Sequence, residues 1–251
     1  QAQRAKQILP HGTAAYARCQ DMVSAAREVL ALSDTHTATP RGLVRVSMAK
    51  AVGRLVIHPW MPEFLQRYPE VDVQMVVTDR TVDLFAESID LAIRVTDEPP
   101  PGLAGRPLMR IRHLVCASPQ YLEKYGTPTH PRDLTQHSCL YLGEDERDRH
   151  WRFHQSGEEV RVKVTGRYVA NHSEMRLEGA MQNLGVASLP EFTARKALKS
   201  GELVEVLPYW EHKTDYAGMA WLLYPSNRFL PVKLRVWIDF LVEKMAREFE
   251  G

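Results

Sequence analysis

The sequence contains few cysteines, and their spacing indicates neither a metal site nor a disulfide framework. The three are Cys19, Cys116 and Cys139 in a chain of 251 residues. Secreted domains held by disulfides carry an even number of cysteines at a much higher density. The cysteine content therefore favours a reducing compartment, and we expect a cytoplasmic protein.

Long apolar runs and a basic excess are also absent. No stretch approaches the roughly 20 apolar residues that span a membrane, and the opening residues QAQRAKQILPHG contain no apolar core of an export signal. The chain has 32 Lys and Arg against 31 Asp and Glu. A nucleic-acid-binding domain is expected to carry a clear positive excess. We therefore expect that this chain does not itself bind DNA.

Motifs of the common catalytic and nucleotide-binding sites are missing as well. There is no GxSxG, no GxGxxG after a strand and no P-loop. His150 and His154 share one face of a predicted strand, but no third metal ligand is spaced nearby. Cys139 lies near His137, yet a buried cysteine is a simpler interpretation than a thiol–base pair. We expect no catalysis, no metal and no cofactor.

What the chain does contain is a β-α-β pattern in residues 41–77. Residues 43–47 and 71–77 alternate apolar and polar side chains, which is typical of half-buried strands. Between them lies an amphipathic segment interrupted by Pro59 and Pro62. Proline breaks or kinks a helix interior but suits a first turn. The pattern predicts a bent helix whose second half opens at Pro62.

A third strand at residues 90–95, after a short helix at 81–87, extends this unit to a doubly wound parallel sheet. A second set of elements follows. It comprises a long strand over 106–119, a helix at 118–126, a strand at 137–142, a hairpin of 151–154 with 159–164, a strand at 167–170, a helix at 171–184, a strand at 186–189, a helix at 191–199 and a strand at 203–207.

The last elements, a strand at 218–224 and a strong helix opened by Pro231, return to the first set and cover its sheet. The chain is therefore predicted to be an α/β protein of two Rossmann-like subdomains. We expect 41–114 with 218–251 in the first and 115–217 in the second. Two crossover strands, near 113–116 and 217–220, would join them. A cleft between two such lobes is a natural pocket for a small ligand.

Before these lobes, residues 13–33 have the heptad spacing of a helix that associates with another chain. The alternative is a helix packed on its own domain. A polar linker with proline and glycine follows at 34–40, and it favours a detached helix on a hinge. The residues expected at the oligomerisation seam are Tyr16, Cys19, Val23, Ala26 and Leu30.

Two turns are candidates for binding an anion in the cleft. Open parallel sheets bind ligands beyond the carboxyl ends of their strands, and the turn Ser47–Val52 lies at such an edge. The turn Asn171–Glu174 has the spacing of a capping box and opens a helix in the other lobe. A helix N-terminus attracts anions. The alternative is that Ser47 and Asn171 only cap their helices.

Further candidates lie at the ends of neighbouring strands. Arg94 could hold a ligand carboxylate with two hydrogen bonds, or it could form a salt bridge between the lobes. Thr96 and Asp79 follow adjoining strands and could contribute. Tyr141 could supply a wall or a hydroxyl group, although a tyrosine of the core is the simpler alternative.

The segment RVSMAKAVGRLVIHPWMPEFLQRYPEVDVQMVVTDRTVDLFAESIDLAIRV resembles the first regulatory subdomain of LysR-type transcriptional regulators. GRPLMRIRHLVCASPQYLEKYGTP, YVANHSEMRLEGAMQNLGVASLP and LPVKLRVWIDFLVEKM agree with it, so the resemblance covers the chain from Pro10 onward. It implies a fold like the type 2 periplasmic binding proteins, with a small-molecule effector held between two subdomains.

The resemblance also implies that residues 1–12 are the remnant of a winged helix-turn-helix domain, followed by the dimerisation helix. At this join the family usually has LTxxG, whereas this chain has Leu9 where threonine is usual. The implied partners are DNA, through a winged helix-turn-helix domain that we expect to be absent from this chain, and further copies of the chain in a homodimer or homotetramer. A transport solute-binding protein, or an enzyme on the same scaffold, is the alternative.

The resemblance implies a ligand site in the cleft. Its expected residues are Ser47, Met48, Ala49, Lys50, Val52, Thr78, Asp79, Arg94, Thr96, Tyr141, Asn171 and His172. Related chains often have Ala-Pro after the serine and Asn-Asp at the second turn, where this chain has Met48-Ala49 and Asn171-His172. The loss of a carboxylate and the gain of Lys50 and His172 favour an acidic or neutral polar effector.

Overall fold

The computed structural model describes residues 22, 39–80, 82–84, 86–226 and 230–249. The predicted remnant at 1–12 and the residues expected to mediate oligomerisation lie outside this part of the chain. Those residues are Tyr16, Cys19, Val23, Ala26 and Leu30. None of the helices in the described ranges is both long enough and apolar enough to cross a membrane.

The described residues alternate between strands and short helices. The strands are β1 Gly42–Met48, β2 Val71–Val77, β3 Leu91–Val95, β4 Leu103–Ile111, β5 His113–Ala117, β6 Cys139–Leu140, β7 His150–Gln155, β8 Glu158–Lys163, β9 Val186–Pro190, β10 Val204–Val206, β11 Glu211–Lys213 and β12 Gly218–Pro225. The α-helices are α1 Lys50–Val52, α2 Met61–Arg67, α3 Pro119–Tyr125, α4 Ser173–Met181, α5 Glu191–Ser200 and α6 Val232–Phe249.

The first lobe is built on a five-stranded sheet in the order β2-β1-β3-β12-β4. β1 pairs in parallel with β2 and β3, as the β-α-β pattern predicts. The parallel sheet predicted for the first three strands is therefore confirmed, whereas β12 is antiparallel to both of its neighbours. The reason lies in the path of the chain, because β12 enters this sheet on its return from the other lobe.

The second lobe contains a four-stranded sheet, β10-β5-β9-β6, and a three-stranded sheet, β11-β7-β8. The predicted single strand over 106–119 is two strands. β4 pairs with β12 in the first lobe, whereas β5 pairs with β9 and β10 in the second. The chain therefore passes between the lobes at Arg112, and it returns between β11 and β12. The crossing predicted near 113–116 therefore lies directly before that stretch, at the junction of β4 and β5.

The connection between β1 and β2 is bent, as predicted. A π-helical turn at Gly53–Ile57 and a 3₁₀ turn at His58–Trp60 separate α1 from α2, and Pro62 lies in the first turn of α2. A Cβ atom on Gly53 would lie 2.5 Å from Cγ1 of Val77. Glycine at this position therefore lets the bent segment lie close against the carboxyl ends of β1 and β2.

Three other predicted elements differ in the structure. The described part of 81–87 forms turns in place of a helix, and residues 167–170 form no strand. α4 ends at Met181 because Asn183 adopts a left-handed backbone conformation with φ of 64°. Asparagine is one of the few side chains that tolerate this conformation at a helix C-terminus. The helix therefore stops before the predicted end at Leu184.

The core of the first lobe forms between the sheet, the bent segment and α6. Phe64 and Trp237 are fully buried, with ring centroids 4.6 Å apart and an interplanar angle of 86°. Such edge-to-face contacts between large rings stabilise a core beyond the burial of area. This packing holds the bent segment, and with it the helix start at Lys50, against the sheet.

Candidate functional site

A cavity of about 720 Å³ lies between the two lobes and is lined by residues of both. This volume is typical of a small-molecule site. The first lobe contributes the carboxyl ends of β1, β2 and β3, and the second contributes β7, α4, β9 and β11 with their loops. The cavity therefore lies where the predicted cleft was expected.

Seven of the residues predicted for the ligand site line this cavity. They are Ala49, Lys50, Val52, Thr78, Asp79, Arg94 and Asn171. The other five do not line it. Ser47 and Met48 are fully buried, and Tyr141 belongs to the core of the second lobe. Thr96 donates its hydroxyl hydrogen to the carbonyl of Glu98 at 2.8 Å. His172 is half-buried, and its Nδ1 atom has no partner among the described residues.

The first predicted anion site, at the helix start after Ser47, holds a carboxylate of the protein itself. The Asp79 carboxylate accepts a hydrogen bond from the Lys50 amide at 3.1 Å and pairs with Lys50 Nζ at 3.2 Å. α1 is only three residues long. An external anion at this helix end would therefore have to displace Asp79.

At the second predicted anion site, the side chain of Asn171 already has a carboxylate partner within the protein. The Asn171 side-chain amide donates to the Glu144 carboxylate at 3.0 Å, and α4 is preceded by His172 with no side-chain cap. The predicted capping box is therefore wrong. Glu144 also lies 3.5 Å from Lys50 Nζ. Because Lys50 belongs to the first lobe and Glu144 to the second, this ion pair bridges the lobes at the cavity.

Arg94 lines the cavity from the first lobe and faces neutral oxygens. One guanidinium nitrogen donates to Ser47 Oγ at 2.7 Å and another to the Ile93 carbonyl at 2.8 Å. Burial lowers the pKa of Arg94 below its ordinary value. The contact with Ser47 explains why a fully buried serine is tolerated at the end of β1. Ser47 thus orients Arg94 and does not itself reach the cavity.

Arg176 lines the cavity from the second lobe, and the sequence reasoning missed it. It is only 4% exposed, and its guanidinium donates to the carbonyls of Ala170 at 2.6 Å and Ser188 at 3.3 Å. Burial lowers its pKa to about 10. The sequence offers one signal for this residue. Arg176 is the fourth residue of α4, where a cation is unfavourable because it opposes the helix dipole.

The charges of the cavity wall are unequally compensated. Among the lining cations that form ion pairs, Arg152 contacts Asp215 at 2.7 Å and Lys50 contacts Asp79. Arg147, Arg161 and Lys213 pair with neighbouring carboxylates in the same way. Within the described ranges, Arg94 and Arg176 are the lining cations without an ion pair. Both are largely buried and lie on opposite lobes.

A buried serine and two buried histidines add neutral polar groups to this wall. His212 Nδ1 lies 3.2 Å from the Arg152 carbonyl, so this nitrogen carries the proton. His212 Nε2 then accepts from Ser188 Oγ at 3.0 Å. His113 also lines the cavity, and its Nδ1 atom is buried without a partner among the described residues. A buried polar atom without a partner is unusual in a native structure.

The Ser188–His212 contact has the geometry of a nucleophile with its base, but its environment does not suit catalysis. Burial lowers the pKa of His212 to about 4, so the imidazole is a weak base. A backbone carbonyl takes the place of the carboxylate that supports such a base in hydrolases. The pair therefore offers hydrogen bonds to a ligand.

The other sequence candidates for chemistry are structural. Cys139 is fully buried, and burial raises the pKa of its thiol to about 12. A thiol with so high a pKa is a poor nucleophile. His150 and His154 are exposed on β7. No group of three or more His, Cys, Asp or Glu side chains in the described residues could hold a metal ion.

We expect the burial of His212 to make the protein less stable in mild acid. An unfolded histidine takes up a proton near pH 6.5, whereas folded His212 stays neutral down to about pH 4. As the pH falls from about 6.5 towards 4, the unfolded state binds more protons, and the free energy of unfolding falls by up to about 1.4 kcal/mol per pH unit. Urea unfolding at pH 7.5 and pH 5.5 measures this loss.

The control is the variant His212→Gln. It removes the titrating group and should lose less stability over the same pH range. Burial also lowers the pKa of His113. The free energy of unfolding of the variant should therefore still depend on pH, but less strongly. An equal loss in the variant and the original chain would show that His212 does not set the acid sensitivity.

Comparison with known proteins relates this cavity to regulatory proteins. Residues 37–246 match the family profile of the LysR substrate binding domain. The probable HTH-type transcriptional regulator LtrA of Klebsiella pneumoniae is 46% identical over 232 residues, which are 92% of this chain and 75% of the relative. The activator TtdR of Escherichia coli K12 is 33% identical, with 84% of this chain and 69% of the relative covered.

A solved structure has the same architecture. The regulatory domain of CrgA, a LysR-type transcriptional regulator from Neisseria meningitidis, superposes with a TM-score of 0.72 at 27% sequence identity. The match covers 82% of this chain and 100% of that domain. The two α/β lobes described above are thus the arrangement of a regulatory domain with a fold like the type 2 periplasmic binding proteins.

Proposed function

The chain belongs to the LysR-type transcriptional regulators, and on this basis we propose that the cavity between its lobes binds a small carboxylate effector. The match covers the effector-binding domain of the family. DNA binding is a property of the family and is carried by a winged helix-turn-helix domain. The question that the cavity itself addresses is which class of effector it takes.

The observation that supports a carboxylate is a pair of guanidinium groups that form no ion pair. Arg94 and Arg176 face the cavity from opposite lobes, and neither forms an ion pair with a described carboxylate. A buried charge without a counter-charge is costly. Two unit charges 4 Å apart attract by about 4 kcal/mol at the effective dielectric constant of such a site. A carboxylate ligand would supply this attraction.

The remaining wall suits the same ligand. Ser188, His113 and the cavity surface near Thr78 offer neutral polar groups to hydroxyl or carbonyl groups of an organic acid. His172 does not line the cavity, so the argument for an acidic effector rests on the arginines. Lys50 is a weaker candidate for contact with an anionic ligand than the sequence suggested, because Asp79 and Glu144 already neutralise it.

Regulation would follow from the placement of these groups on two lobes. A ligand that contacts Arg94 and Arg176 together binds best when the lobes are held at one separation. It would also compete with Glu144 for Lys50 across the cleft. Such differential affinity shifts the population of lobe and subunit arrangements. In a homodimer or homotetramer acting in the cytoplasm, this shift would move the DNA-binding domains.

A thermal-shift screen tests the proposal. The panel contains small monocarboxylates and dicarboxylates, each beside the amide of the same shape. We expect at least one acid to stabilise the chain while its amide does not. A ligand at 100 times its dissociation constant stabilises a protein by about 2.7 kcal/mol. Stabilisation by cationic compounds alone, or equal stabilisation by acids and amides, would contradict a carboxylate effector.

A further inference from the structure

A second cavity, of about 440 Å³, is also lined by residues from both lobes. The bent segment of the first lobe contributes Leu55 and Trp60 to one wall. α5 of the second lobe contributes Phe192, Lys196 and Lys199 to the other. Cavities of about 300–1,000 Å³ are typical of small-molecule sites. This one is therefore large enough for a ligand of one or two rings.

The lining of this cavity divides into an apolar side and a cationic side. Trp60, Leu55 and Phe192 are half-buried and present two aromatic surfaces and one aliphatic surface. Lys196 and Lys199 lie three residues apart on α5 and so share one face of the helix. In the described part of the chain neither lysine has a carboxylate partner within 4.0 Å.

The acidic content of the same cavity is small. Its lining contains one carboxylate, that of Glu248, which lies 3.9 Å from the Arg195 guanidinium. Glu248 is therefore already neutralised locally by a cation of the lining. The remaining charge at the cavity is positive, and it lies beside rings that stack well on a planar ligand.

From this combination we propose that the second cavity is a binding site for an aromatic monoanion, separate from the effector cavity. The ring of the ligand packs between Trp60 and Phe192, and its anionic group is held by Lys196 and Lys199. The chemistry that fits is an aromatic carboxylate or sulfonate. A neutral ring would leave the two ammonium groups without a partner, and a small inorganic anion would leave the apolar walls uncovered.

Phe192 gives this site a connection to the effector cavity, because it lines both. A ligand that packs against Phe192 from one side restricts the positions that this ring adopts towards the other. The ligand would also hold the bent segment of one lobe against α5 of the other. Occupancy of the second site therefore favours one separation of the lobes. The affinity for the effector depends on the same separation.

A fluorescence titration with 1-anilinonaphthalene-8-sulfonate, an aromatic monoanion, tests the proposal. The probe is added to the full chain and to the double variant Lys196→Glu/Lys199→Glu, whose substituted side chains are exposed. We expect the variant to bind the probe at least about tenfold more weakly, since two charge-assisted contacts become repulsive. 1-Naphthoate should displace the probe from the original chain, and 1-naphthamide should not.

Two control variants locate the probe. Lys124→Glu/Lys163→Glu changes two exposed lysines outside both cavities by the same total charge and should leave the affinity unchanged. Arg176→Gln alters the effector cavity and should weaken probe binding much less than the α5 double variant does. Unaltered binding to the α5 double variant, or loss of binding with Arg176→Gln, would overturn the second site. Because the site is a separate cavity, failure of the carboxylate screen would leave this result intact.

Discussion

Replacing Arg176 with glutamine is expected to weaken the binding of a carboxylate effector by at least about 30-fold. Truncating one partner of a buried charge pair costs about 2–5 kcal/mol, and each 1.4 kcal/mol is a factor of about ten in affinity. Glutamine retains an amide that can donate to the carbonyls of Ala170 or Ser188. Calorimetric titration with the highest-ranked carboxylate of the screen measures the change.

Lys50→Ala is the matched control at the helix start that the sequence favoured. We expect it to weaken binding by only about fivefold or less, because a partly exposed ion pair contributes about 0.2–1 kcal/mol. Lys50 is also shared between Asp79 and Glu144 before any effector arrives. A large loss in Lys50→Ala with no change in Arg176→Gln would place the anion at the helix start and contradict the assignment to Arg176.

Replacing Phe64 with alanine is expected to lower the free energy of unfolding by about 3–5 kcal/mol, the usual cost of emptying an aromatic site in a core. Phe64 is fully buried, and its ring lies 4.6 Å from that of Trp237 and 5.2 Å from that of Phe240. It connects α2 to α6, so the bent segment loses its anchor. Urea denaturation followed by tryptophan fluorescence measures the loss.

Two further substitutions separate lost packing from other causes. Leu65 lies beside Phe64 on α2 but is 43% exposed, so Leu65→Ala should change stability by no more than about 0.5 kcal/mol. Trp237→Phe removes an indole nitrogen that is buried without a partner in the described ranges. We expect it to cost less than Phe64→Ala, because leaving a buried donor unsatisfied is itself costly. Equal losses in all three variants would show that Phe64 is no special anchor.

Local patterns in the chain were enough to predict most of the elements. The alternation at 71–77 becomes β2 over the same residues, and Ser118 caps α3 by accepting from the Tyr121 amide at 3.2 Å. Pro62 opens α2 as expected. These features depend on side-chain periodicity and on backbone preferences within a few residues. Such preferences do not depend on contacts between the lobes.

Features that depend on distant partners were predicted poorly. Residues 106–119 have continuous strand character, yet their two halves pair with strands far apart in the chain, so the break at Arg112 has no local signal. The direction of β12 follows from its return out of the second lobe. The end of α4 comes before the predicted Leu184 because Asn183 takes a left-handed conformation.

The sequence by itself determined the fold class, the two-lobed plan, the membership of the LysR-type regulators and the edge of the sheet where the cavity lies. Only the tertiary structure decided which groups face the cavity. Asp79 and Glu144 neutralise Lys50, and Ser47 is turned into the core to hold Arg94. Arg176 has the sequence appearance of an exposed helix residue, but packing buries it at the cavity, where it forms no ion pair with a described carboxylate. Charge compensation depends on distances between atoms that are far apart in the chain, and local sequence does not encode those distances.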